Sequence, residues 1–139
     1  MYKKTISYED YNGEQQTRTF YFNLSKAELI EMQFSSEGGL QERLTRMIET
    51  KDGSGMMKTI KELILRSYGE KSADGNRFIK SKELSESFEQ SEAYSELFME
   101  IATDEKAAEA FVNGIIPKQL ATELQKQSNK QVLEAVPIN

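Results

Sequence analysis

Residues 3–33, KKTISYEDYNGEQQTRTFYFNLSKAELIEMQ, decide the fold class, because a strand signal and a helix signal lie there end to end. Two β-prone runs, KKTISYEDY and QQTRTFYFN, flank Asn12-Gly13, a pair that tolerates the positive φ of tight hairpin turns. A plain two-residue turn would pair Tyr11 with Glu14 and set Ile6 opposite Thr19, on the other face from Phe20 and Phe22. A one-residue bulge beside Gly13 instead puts Ile6 opposite Phe20 and Lys4 opposite Phe22, with Tyr2 and Leu24 on the same face. A bulged hairpin is therefore expected. Directly after it the period changes. Ser25 and Glu28 are spaced as a capping box with Leu24 and Leu29 placed to staple across it, so a helix should run to about Gln33, before Ser35-Ser36-Glu37-Gly38-Gly39.

Working outward, Leu40, Leu44, Met47 and Ile48 make a helical stripe that ends at Lys51-Asp52-Gly53-Ser54-Gly55. Met56 or Met57, Ile60, Leu63, Ile64 and Tyr68 repeat the rhythm, with Gly69 placed as a C-terminal stop. A polar loop, EKSADGNR, leads to Phe78-Ile79, and Ser81 is placed to cap a short helix through Phe88. Ser91 caps a further helix with Tyr94, Leu97, Phe98 and Ile101 on one face. Asp104 caps another, bearing Ala107, Ala108, Phe111, Val112 and Ile115, which should end before Pro117. The expected fold is α+β: an N-terminal β-hairpin followed by a mainly α-helical domain of about six helices over residues 1–117. Its core should hold Phe20, Phe22, Leu44, Ile48, Ile60, Leu63, Ile64, Leu97, Phe98, Phe111 and Ile115. Residues 118–139 contain four glutamines and no aromatic residue, and they read as a mobile, flexible C-terminal tail.

Composition narrows the function. With 139 residues the chain is long enough to bury a core without staples, and it has no cysteine for disulfides or thiolate metal sites. Its opening residues lack the apolar run of a secretory signal, and its apolar runs are far too short to span a bilayer. A cytoplasmic location and no membrane partner are the default expectations. The net charge of −5 comes from 18 basic residues scattered among 23 acidic ones, which disfavours nucleic acid and favours protein partners. Histidine is absent, removing the commonest general base and metal ligand together.

The segment SADGNRFIKSKEL is the nearest approach to a metal site. With Glu83 at the twelfth position of a calcium loop, Ser72 stands at the first and Arg77 at the sixth, where the turn requires glycine. Moving Gly75 to the sixth position puts Ser81 at the twelfth and loses the bidentate carboxylate. An Asp-Gly-Asn turn is the simpler reading, with no metal. Carboxylate pairs such as Glu83 with Glu86, or Glu89 with Glu92, fit an exposed acidic helix face better than an acid and base couple. Gly53-Ser54-Gly55 is no phosphate loop but a helix connector, and neither a cofactor site nor catalytic residues are expected. The methionines suggest an adaptable contact surface instead, chiefly Met99, which helical geometry sets at least about 100° from every member of the Tyr94, Leu97, Phe98, Ile101 stripe. Tyr94, Phe98 and Met99 are thus the candidate protein-contact residues.

Three stretches, YNGEQQTRTFYFNLSKAELIEMQ, LILRSYGEKSADGNRFIKS and ELSESFEQSEAYSELFMEIATDEKAAEAFVNGIIP, resemble the tail assembly chaperones of long-tailed phages of Gram-positive bacteria. The resemblance covers about residues 1–117 and is most specific at 68–81 and 91–117. It implies a protein made in the infected cell that binds the long, aggregation-prone tape measure protein, helps recruit major tail tube subunits, and is absent from the finished virion. It also implies a minority product extended by ribosomal frameshifting, an event set by nucleotides rather than by residues. Self-association is left open.

Overall fold

The computed structural model describes residues 1–35 and 50–117. Strands β1 (Tyr2–Glu9) and β2 (Gln15–Phe22) form the expected antiparallel hairpin, but in a different register. Ile6 lies opposite Arg18, Lys4 opposite Phe20 and Tyr2 opposite Phe22, rather than Ile6 opposite Phe20 and Lys4 opposite Phe22. The cause is Asp10. Its N–H donates to the Glu14 carbonyl at 2.8 Å, and its own carbonyl accepts from Gly13 N at 3.0 Å. Its carboxylate accepts from the N–H groups of Asn12 and Glu14, each at 2.9 Å. Tyr11, Asn12 and Gly13 therefore make a three-residue loop, with Gly13 at φ 79° in the left-handed position such loops require. The slip is two residues, so the faces survive: Ile6, Tyr8, Phe20 and Phe22 are all buried together.

Helix α1 (Lys26–Ser35) starts on the expected capping box. Glu28 N donates to Ser25 Oγ and Ser25 N donates to Glu28 Oε1, both at 3.1 Å. Helix α2 (Gly53–Ser67) is capped by the Asp52 side chain, which accepts from Gly55 N at 2.9 Å. It ends one residue before Tyr68, because the chain turns there into a strand that the sequence reading did not anticipate. Strand β3 (Tyr68–Lys71) pairs Tyr68 with Phe22 and Gly69 with Tyr21, and β4 (Phe78–Ile79) pairs with β3. The hairpin thus becomes a four-stranded sheet in the order β1-β2-β3-β4. Gly69 is not a helix stop. It is a strand residue whose missing Cβ makes room for β4, since a Cβ there would lie 2.7 Å from the Ile79 carbonyl oxygen and from Phe78 Cε2.

The polar loop between β3 and β4 is a turn closed by Ser72 and Asp74. Ser72 N donates to the Arg77 carbonyl at 2.9 Å, and Asp74 Oδ1 accepts from Ser72 Oγ at 2.6 Å and from Asn76 N at 3.0 Å. Helices α3 (Lys82–Glu89), α4 (Glu92–Thr103) and α5 (Glu105–Ile115) begin on the predicted caps Ser81, Ser91 and Asp104. Among the described residues there are five helices, against about six expected for the whole domain. The expected helix on Leu40, Leu44, Met47 and Ile48, and the tail at 118–139, lie outside the described residues.

One face of the sheet carries the core. Phe22, Leu24, Ile64, Leu97, Phe111 and Ile115 are fully enclosed, and Phe88 joins them with its ring stacked 4.4 Å from Tyr68. Ile60 and Phe98, placed in the core by periodicity, are only half-buried against its margin. The opposite face is polar: Thr5 meets the Thr19 hydroxyl at 2.9 Å and Ser7 meets Thr17 at 3.0 Å, a row of cross-strand hydroxyl pairs.

Candidate protein-binding surface

Helix α4 carries the three candidate contact residues, and polar contacts at both ends hold it along β1. Tyr11 Oη donates to Glu92 at 2.9 Å, and Lys4 Nζ donates to Glu100 at 2.8 Å in an ion pair. The Glu100 carboxylate raises the Lys4 ammonium pKa above its usual value, and the Glu92 carboxylate does the same to the Tyr11 phenol. Ala93, Leu97 and Ile101 point into the core. That leaves the flanks of the helix as surface.

The structure divides the three candidates between two flanks. Tyr94 and Phe98 stay together, with ring centroids 5.8 Å apart, half-buried at the seam where α4 meets α2. Tyr94 also meets the edge of Phe88 at 5.9 Å. Burial raises the Tyr94 phenol pKa, Lys61 across the seam lowers it, and Glu89 raises it further, for a net increase. Lys61 is itself paired with Glu89 at 2.9 Å. One turn before Lys61 on α2, Met57 is 46% exposed. Met99 is 58% exposed, as its angle predicts, but it points off the outer side of α4 and does not join Tyr94 and Phe98. The apolar surface is therefore the half-buried Tyr94–Phe98 pair, with Met57 on α2 and Met99 on α4 as exposed apolar side chains.

Sequence reasoning missed a second feature. Strands β2 and β3 pair only at their Tyr21–Phe22 end and then splay, opening a notch of about 280 Å³ lined by Arg18, Phe20, Tyr21, Tyr68 and Lys71. Arg18 sits 5.5 Å over the Phe20 ring and Lys71 5.6 Å over Tyr21. No local pattern in the sequence signals it, because it depends on where β3 parts from β2. Among the described residues no group of three or more His, Cys, Asp or Glu side chains could hold a metal, and no helix is long and apolar enough to cross a membrane.

This set of parts, a polar-faced sheet backed by helices with exposed methionine and aromatic side chains, suits contact with other proteins. A family model described as phage tail assembly chaperone matches residues 1–138. The chain belongs to that family. No curated protein and no solved structure matches it. The family match confirms the resemblance carried by residues 1–117 and continues through residue 138. As a phage tail assembly chaperone, the protein presents its Tyr94–Phe98 pair, exposed Met57 and Met99 and an open notch on one α+β scaffold.

Proposed function

We propose that this tail assembly chaperone binds the tape measure protein and helps recruit major tail tube subunits around it, without catalysis of its own. It would act in the host cell cytoplasm and leave before the virion is complete. The observation that carries the reading is the family match over residues 1–138. The surface supports it. Exposed Met57 and Met99, together with the Tyr94–Phe98 pair near the charged pair Lys61–Glu89, are suited to shielding an amphipathic helix of a client, because methionines repack around different partners. The acidic net charge keeps such a complex soluble.

The test is co-expression with the tape measure protein of the same phage. The wild-type chain should keep that protein soluble, and Met57→Glu or Met99→Glu should return part of it to the pellet while circular dichroism shows an intact chaperone. An insoluble client beside wild-type chaperone, or equal rescue by an unrelated acidic protein, overturns the reading. Mass spectrometry of purified particles tests the rest: a stoichiometric amount of the chain in the virion would make it a structural tail component.

A further inference from the structure

Strand β1 forms one end of the sheet, and among the described residues no strand pairs with its outer side. The hydrogen bond from Asp10 N to the Glu14 carbonyl fixes which backbone groups face which way. Bonded and non-bonded pairs alternate along an antiparallel ladder, so Tyr2, Lys4, Ile6 and Tyr8 bond to β2. The N–H and C=O groups of Lys3, Thr5, Ser7 and Glu9 therefore point outward. The strand has no proline, its pairing runs unbroken from Tyr2 to Glu9, and α4 and α5 pack beside it with Ile6 and Tyr8 buried beneath. An edge this long and regular is a template for another strand.

We propose that β1 pairs with β1 of a second copy of this chain, antiparallel about a two-fold axis at Ile6. The charges choose the occupant and the register. With Ile6 opposite Ile6, Lys3 faces Glu9 of the second copy, Glu9 faces its Lys3, and Thr5 faces its Ser7. All of these pairs join residues whose backbone groups point outward, as a hydrogen-bonded ladder demands. The hydroxyl row continues too: Thr19 and Thr5 of one copy run into Ser7 and Thr17 of the other. Sliding by two residues sets Thr5 opposite Thr5 or Ser7 opposite Ser7 and leaves Lys3 without its acid. Lys4 does not obstruct the edge, because it turns inward to Glu100. The product is a continuous eight-stranded sheet, with an isologous interface.

Analytical ultracentrifugation of the full chain across a wide concentration range tests this. The wild-type chain should dimerise. Lys3→Glu and Glu9→Lys should each weaken the dimer by about tenfold or more, since each change sets two like-charged pairs face to face. The double variant K3E/E9K should recover the wild-type constant, because it restores both pairs with their signs exchanged. Both side chains are exposed, so the fold should be unchanged by circular dichroism. A chain that stays monomeric at every concentration overturns the proposal. So does a dimer that the single variants leave unmoved, or that the double variant fails to rescue.

Discussion

Replacing Gly69 with Ala should destabilise the protein, although the same change in an open strand would stabilise it. The new Cβ would sit 2.7 Å from the Ile79 carbonyl oxygen, 2.7 Å from Phe78 Cε2 and 3.1 Å from Lys80 Cγ, where ordinary contact begins at 3.4 Å. The carbonyl cannot retreat without loosening β4, because Ile79 is paired with Glu70. Overpacking of this kind costs about 1–3 kcal/mol, and the entropy regained by losing a glycine offsets about 0.5–1 kcal/mol of it. The net loss should be about 1–2 kcal/mol in urea melts. Gly69→Val should lose more than Ala despite the strand preference of valine, and Gly69→Asn should fare no better, whereas a left-handed helix stop would accept asparagine. Gly53→Ala is the control: nothing lies within 4 Å of its Cβ, so the change should be neutral or stabilise by up to about 1 kcal/mol. A Gly69→Val protein as stable as the wild type would refute the close approach of β3 and β4.

Leu97→Ala should cost about 2–5 kcal/mol by urea denaturation, because Leu97 is enclosed between helix and sheet; a loss below about 1 kcal/mol would place it on the surface. Calcium should not bind in calorimetric titration, since the Asp74 carboxylate is taken up by Ser72 Oγ and Asn76 N, bonds that also hold its pKa low. Burial pushes the Glu28 carboxyl up, but the Lys80 ammonium at 2.6 Å and the Ser25 N–H outweigh it, leaving the pKa below the ordinary glutamate value. A depressed carboxylate stabilises the fold above its unfolded pKa and loses that contribution as pH falls through the folded one. Wild type and Glu28→Gln should therefore differ in melting temperature at pH 7 and converge on acidification below the usual carboxylate range. A gap that does not narrow at all as the pH falls would count against the ion pair.

Of the candidate contact residues, the exposure of Met99 was legible because it follows from one helix and its angles. The half-burial of Phe98 was not, because Phe98 lies at the seam with α2, and where a second helix crosses is a long-range property. The notch beside Arg18 and Lys71 was invisible for the same reason. It exists only because β3 leaves β2 after two paired residues.

The sequence by itself determined the elements that rest on contacts a few residues apart. The capping box of Ser25 and Glu28 and the caps Ser81, Ser91 and Asp104 need only side chains within reach of their own helix, whereas the stretch at Gly53-Ser54-Gly55, read as a connector, is the first turn of α2 capped by Asp52. The alternation that puts Ile6, Tyr8, Phe20 and Phe22 on one face is equally local. Even the loop register was written there, since Asp10 and Gly13 occupy the first and fourth positions of a type I turn, but the apolar pattern cannot separate registers two residues apart. Tertiary structure alone decided that Tyr68 leaves α2 to pair with Phe22, 46 positions earlier in the chain. A tyrosine at the end of an apolar stripe suits either a helix or a strand. The choice was made by partners that local periodicity cannot see: the Phe88 ring stacked on Tyr68, and the Asn23 N–H that donates to the Ser67 carbonyl at 2.7 Å.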